Sequence, residues 1–280
     1  MPPFRLNLES KGTSSGKEVK DNVKKARKYK RVEWGVLLHK TCAVVGGGPS
    51  TARHLETLRA WEGDIFAIND TAKFLSDNGI PCYVYSIDGT TIPFKIGPLV
   101  KGAVFATRVN RIQFRQFTRS TIRVFDMYED NKNGGIEGGP TGVCRTPHLF
   151  LKMGYRGMVF FGVEGSFYGK THLGGNRNDA FWNMVIVRIN GMDYVTNAAF
   201  IMQCEYLATT IKKYPTLLTN ASGGLLDAML KDPDTWEVVA VTGDLKKQYD
   251  DQGVPIFNRE YNLGGIPIWQ PPETLSPQRL

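Results

Sequence analysis

Thr41-Cys42-Ala43-Val44-Val45-Gly46-Gly47-Gly48-Pro49-Ser50 is the stretch that decides the fold. A short apolar run ending in glycines is the mark of a buried strand. Behind it, Thr51 to Trp61 places apolar residues at Ala52, Leu55, Leu58 and Trp61, a helical spacing. Strand, glycine turn and helix in succession form the first unit of an α/β chain. Glycines let the backbone turn sharply and let an anion approach the peptide N–H groups. The helix behind aims its unsatisfied N–H groups and the positive end of its dipole at the same point. Gly46, Gly47, Gly48, Pro49 and Ser50 are therefore candidates for holding a phosphate, against the plain alternative of a tight turn without a ligand. The loop lacks the lysine of a Gly-Lys-Ser/Thr phosphate loop. Thr51 stands where Gly-x-Gly-x-x-Gly needs its last glycine, which disfavours a nicotinamide cofactor.

The rhythm continues outward. Strands are expected at Asp64 to Asn69, within Pro81 to Asp88, and at Ala103 to Thr107, Thr121 to Phe125 and Met158 to Glu164. Helices are expected at Thr71 to Asn78, with Gly79 at its end, and at Val143 to Met153. The longest helix is expected over Asp193 to Tyr214, capped by Asp193 or Thr196. Two late strands, Thr216 to Thr219 and Glu237 to Thr242, precede a proline-bearing tail. This alternation predicts an α/β fold, Rossmann-like, with a mostly parallel sheet and helices on both faces. The expected division is a basic, flexible N-terminal arm over residues 1–34 with a helical end around Lys17 to Arg31, a nucleotide-binding domain over 35–245 and an irregular tail over 246–280.

The chain of 280 residues carries a net charge of +8. Ten basic and four acidic side chains fall in residues 1–34, which leaves only +2 for the rest. The arm is either a solvated charge run or a contact to DNA or another polyanion. Apolar runs are too short to span a bilayer, and Met1-Pro2-Pro3-Phe4-Arg5 has no apolar stretch behind it, so neither a membrane span nor a signal peptide is expected. Cys42, Cys82, Cys144 and Cys204 lack metal-ligand or redox spacing and read as buried free thiols in a cytoplasmic protein.

Two further loops carry chemistry. Asn69-Asp70 and Asp88 end strands on the same edge of the sheet. They read equally as ribose or Mg²⁺ ligands and as a helix cap and a turn. Gly162 to His172 leaves a strand through Glu164 and enters a loop with Tyr168, Lys170 and His172. His172 is a candidate general base, and Tyr168 or Lys170 a candidate partner for a departing phosphate. His39 and His54 read as surface positions, and His148 as a helix position.

Val44 to Ser50, Ala67-Ile68-Asn69-Asp70, Asn78-Gly79-Ile80-Pro81 and Ser86-Ile87-Asp88 together resemble the DUF115 family. That family includes archaeal 6-hydroxymethylpterin diphosphokinases (MptE-like) and flagellin-associated Maf glycosyltransferases. Pro140-Thr141-Gly142-Val143, Lys152 to Tyr155 and Phe160 to Glu164 resemble the same superfamily and also bacterial sialyltransferases that use CMP-sialic acid. Leu218 to Ser222 is similar to a late Asn-x-Ser segment of the latter. The resemblance runs from about Cys42 to Ser222. It implies a Rossmann-like fold and a nucleotide-activated sugar donor of CMP or UDP type. By it, Gly46 to Ser50 meet the donor phosphate, Asn69 and Asp70 the donor sugar, and Thr141 and Gly142 form a second donor-side loop. His172 takes the place of the acceptor base. The alternatives are an ATP- and Mg²⁺-dependent diphosphokinase using Asp70 and Asp88, and a nucleotide- or nucleic-acid-binding module without turnover. The diphosphokinases carry Asp-Leu-Asp-Gly where this chain has Ser86-Ile87-Asp88-Gly89, one acid fewer.

Overall fold

The structure is a computed structural model and describes residues 16–36, 40–167, 184–233 and 235–242. Helix α1 (Gly16–Ala26) leads into a two-residue strand, β1 (Lys30–Arg31). Then come β2 (Thr41–Val45), a 3-10 turn over Pro49–His54 that runs into α2 (Leu55–Arg59), β3 (Ile65–Ile68), α3 (Thr71–Asp77), β4 (Cys82–Ser86) and β5 (Val100–Ala106). The next elements are α4 (Arg111–Phe114), β6 (Ile122–Phe125), α5 (Gly142–Met153) and β7 (Gly157–Phe161). The chain continues through β8 (Met184–Ile189), β9 (Met192–Asn197), α6 (Ala198–Lys213), β10 (Leu218–Asn220), α7 (Gly224–Lys231) and β11 (Glu237–Thr242).

Eight strands form one sheet in the order β1-β6-β5-β4-β3-β2-β7-β10, and every pairing in it is parallel. With helices packed around it, this is the Rossmann-like α/β arrangement the alternation predicts. The central strands are buried almost throughout, because helices cover what a solvated sheet would expose. Phe66 on β3 stacks on Phe150 of α5 with ring centroids 4.1 Å apart, and Tyr155 closes the cluster edge-on to both. Pro147 sits inside α5 and cannot donate to the Val143 carbonyl; the Thr146 hydroxyl does so instead, at 2.7 Å.

From β2 the chain steps outward through β3, β4, β5 and β6, then returns across the sheet to lay β7 on the other side of β2. The strand order therefore reverses between β2 and β7. In open α/β sheets the crevice at the carboxyl ends of such a pair is where ligands bind.

Three sequence expectations are corrected. Residues 16–34 are not a free arm: α1 packs on α4, and β1 adds an edge strand beside β6, so the folded unit begins before residue 35. The amphipathic spacing of Val19, Val23 and Ala26 supplies that docking face. The long helix begins at Ala198, not at Asp193, and Asn197 caps it by accepting from the Phe200 amide at 2.9 Å. Asp193 and Thr196 belong to β9, which forms a hairpin with β8 and, with β11, a second, antiparallel sheet. His54 is buried at 5% exposure, edge-on to Phe161, rather than lying on the surface. Residues 1–15 of the arm and the tail over 246–280 lie outside the described residues.

Candidate functional site

At the switch point the turns after β2 and β7 close on each other. The Gly46 amide donates to Phe161 O at 2.7 Å and the Gly48 amide to Gly162 O at 2.9 Å. Gly162 holds a φ of +66°, and a Cβ there would lie 1.8 Å from Thr51 Oγ1, so glycine is required on both counts.

Beyond Gly162 the chain carries Glu164 back under the glycine turn. Its carboxylate accepts from the Ser50 amide at 2.8 Å and from the Ser50 hydroxyl at 2.9 Å. Glu164 is 2% exposed, and a Cβ on Gly48 would meet its Oε2 at 2.2 Å. Burial pushes the Glu164 carboxyl above its ordinary range, against the Ser50 donors and the charge of Arg53, which pull it down. The anion expected at Ser50 is thus the protein's own side chain. A carboxylate at a helix N-terminus satisfies an orphan donor and the dipole alike. Ser50 is consequently a structural residue.

A cavity of about 580 Å³ opens above this arrangement. Gly46, Gly47, Gly48 and Pro49 form one wall, and Asn69 and Asp70 a second. Thr141 and Gly142 form a third, with Lys95 among the other lining residues. The sequence candidates among the described residues therefore converge, except for two. Ser50 is buried beneath Glu164, and Asp88 does not line the cavity; it accepts from the Thr90 amide at 2.9 Å in a turn. Asp70 accepts from the Lys95 amide at 2.8 Å, which ties Lys95 to the rim. Asn69 adopts a left-handed φ of 51°, and its buried Oδ1 has no hydrogen-bond partner among the described residues. No cluster of three or more His, Cys, Asp or Glu side chains among the described residues could hold a metal ion.

The third wall is the N-terminus of α5, twelve residues long. Thr141 is its N-cap, yet its hydroxyl donates to Gln203 Oε1 at 2.7 Å and caps nothing. Tyr85 fixes the turn by donating to Gly142 O at 3.0 Å. The contrast between the two glycine turns is direct. Glu164 satisfies the first, and the second faces the cavity without a side-chain cap. Sequence reading treated them in the reverse order of importance. Glu164 figures in the sequence only as a strand end, and Lys95 and Gln203 carry no local mark, since each reaches the site from a distant segment. Tyr168, Lys170 and His172 lie outside the described residues.

The four cysteines are free and buried, and burial pushes Cys82 to about 12 and Cys144 to about 11. Both stay protonated thiols at neutral pH and serve as packing groups. No helix among the described residues is long and apolar enough to cross a membrane. Fold and cleft together define a Rossmann-like α/β protein with a cavity at its switch point. Comparison of the chain with protein-family models, curated proteins and solved structures finds no match.

Proposed function

We propose that this cavity binds a nucleotide-activated sugar donor and that the protein is a glycosyltransferase-like enzyme. The observation that carries the reading is the uncapped N-terminus of α5 opening into a cavity at the sheet's reversal point. Helix N-termini favour phosphate through their free amides and dipole. The donor phosphate meets the first turn of α5 at Gly142, with Lys95 on the rim, while Asn69 Oδ1 accepts from a donor hydroxyl. Glu164 at the floor disfavours a triphosphate, since it already accepts from the Ser50 amide and hydroxyl and leaves a longer phosphate chain without those donors. This supports a CMP-type donor over ATP, and a UDP-type donor stands between them. His172 is the assigned acceptor base on sequence grounds, outside the described residues.

A thermal-shift panel of CMP, UDP, ATP with Mg²⁺ and NAD tests the donor. Stabilisation by CMP or UDP without metal is expected. Stabilisation by ATP only with Mg²⁺ supports the diphosphokinase instead. Gly142→Asp is the matched control, because a Cβ at Gly142 meets nothing closer than Ile87 at 3.5 Å. The new carboxylate caps α5, adding about 0.3 to 1 kcal/mol, and removes the nucleotide response. A variant that still responds to CMP or UDP refutes the placement. Unchanged turnover in His172→Ala removes that residue from the mechanism.

A further inference from the structure

We infer that the edge of the sheet formed by α1, β1, α4 and the start of β6 is a binding surface for double-stranded nucleic acid. The inference does not rest on the donor cleft. Residues 16–34 and 108–123 hold thirteen basic side chains and three acidic ones, a net of +10. The whole chain carries +8, so all other residues together carry −2. Two segments separated by some seventy residues thus hold the protein's entire positive excess.

The fold makes them one surface. The Asn22 side chain on α1 donates to Arg108 O at 3.2 Å, and the Tyr29 ring lies tilted against Phe114 of α4 at 4.6 Å. The Arg119 guanidinium donates to Lys28 O, at 3.0 Å from its Nε, and Lys30 lies in register with Arg123 across the β1–β6 pair. On α1 the inward positions are Asn22 and Ala26, with Val19 and Val23 half-buried beside them. Lys17, Lys20 and Lys24 recur at helical spacing on the opposite side and are exposed, as are Arg111 and Arg115 on α4. None of these five makes an ion pair with another described residue. By contrast, Lys30 is paired with Glu33, Arg31 with Asp126 and Arg108 with Asp130. The unpaired cations are therefore the outermost ones, where a ligand's phosphates reach them.

Chemistry separates the polyanions. An anionic membrane surface is gripped by a basic helix whose apolar face is free to enter the lipid. The apolar face of α1 is already packed on the fold. Single strands are gripped by exposed aromatic rings that stack on bases. Of the two rings in residues 16–34, Tyr29 lies tilted against Phe114, and Trp34, 44% exposed, sits beside Lys152 of α5 rather than on the α1–α4 face. What is left is a stripe of cations about 10 Å long, Lys17 to Lys24, on an eleven-residue helix, which suits the regular phosphates of a duplex and carries no base readout.

The test is fluorescence anisotropy of a short mixed-sequence DNA duplex with the full chain, from about 50 to about 200 mM salt. The wild type is expected to bind with log K falling linearly against log salt. K20E/K24E/R115E is expected to bind at least about tenfold more weakly and to reduce the salt slope by roughly 3. K17A/K24A/R111A, milder in charge, serves if the first variant loses its thermal transition. Residues 1–15 are intact in both, so any contribution from them is constant. No duplex binding at the lowest salt, or binding unchanged by either folded variant, overturns the inference. Tighter binding to phosphatidylserine vesicles or to a single strand than to the duplex also overturns it.

Discussion

Replacing Glu164 by Ala and by Gln separates what its carboxylate does as an acceptor from what it does as a charge. Glu164→Ala removes the acceptor of two donors, the Ser50 amide and the Ser50 hydroxyl, at a position that is 2% exposed. A buried donor left unmade costs about 1 to 3 kcal/mol. The hydroxyl can rotate to another acceptor, whereas the amide cannot. Set against this is the relief of no longer burying a carboxylate. The net expectation is a loss of about 1 to 3 kcal/mol. Glu164→Gln keeps an oxygen for the amide and turns an N–H toward the Ser50 oxygen, so it should lie above Ala at every pH. The pH dependence has a definite sign. Burial raises the folded-state pKa of Glu164, so its stabilising share is full below the ordinary carboxyl value of 4.5 and is lost as pH rises through the folded value. Glu164→Gln has no such loss, so the stability of Gln relative to wild type must grow as pH rises through that window. Urea unfolding of all three proteins at a series of pH values reads this directly. Formate, a free carboxylate, should restore part of the stability of the Ala variant and leave wild type unmoved. A Gln-minus-wild-type difference that is flat with pH, or an Ala variant as stable as Gln, would falsify the assignment of Glu164 as the buried carboxyl that accepts from Ser50.

Three other outcomes are expected. His54 is buried, and burial first, then Arg53, lowers its pKa below 6.5. The wild type should therefore lose stability as pH falls from 6.5 through the lowered value, and His54→Leu should lose this acid sensitivity in the same unfolding series. Gly48→Ala places a Cβ 2.2 Å from Glu164 Oε2 and should lower stability by about 1 to 3 kcal/mol, checked by thermal melting. Lys95→Ala removes an exposed cation from the cavity rim and should leave stability within about 0.5 kcal/mol while weakening the response to CMP or UDP; an undiminished response removes Lys95 from the site.

The parallel sheet was legible because its signal is local. Strands such as Cys42 to Val45 are continuous apolar runs, and the glycines behind them punctuate the chain. The hairpin of β8 and β9 had a local signal too, Asn190-Gly191, with φ values of 50° and 74°, in a run whose apolar residues also fit a helix. The helix expected from Asp193 takes in most of β9, and residues 184–192 carry no expected element. The edge strand β1 has two residues, both charged, and gains its place only from β6. No window on the chain contains that partner. The same holds for the site. Gly142 and Asn69 carry local marks, one in a loop that resembles a known family's and one at a strand end, while Glu164 and Ser50 are 114 residues apart and meet only in the fold.

The two glycine turns show why a motif does not fix the use of a site. Each supplies amides at the start of a helix beside the same cavity, and by sequence alone each is an anion site. An anion site has a demand for negative charge that either a ligand or the protein can meet. At Ser50 the demand is met internally, by an acid that the β7 turn delivers at fixed geometry and that no ligand in dilute solution displaces without exposing a buried carboxylate. At Gly142 the nearest hydroxyl is turned away to Gln203, so the demand is left to whatever enters the cavity. The same acid takes the Ser50 donors that a longer phosphate chain would need. On the proposed reading, a monophosphate-linked donor meets the first turn of α5 while avoiding the floor, and a longer phosphate chain must approach Glu164. On that reading, donor class follows from which helix is capped from within and which is open.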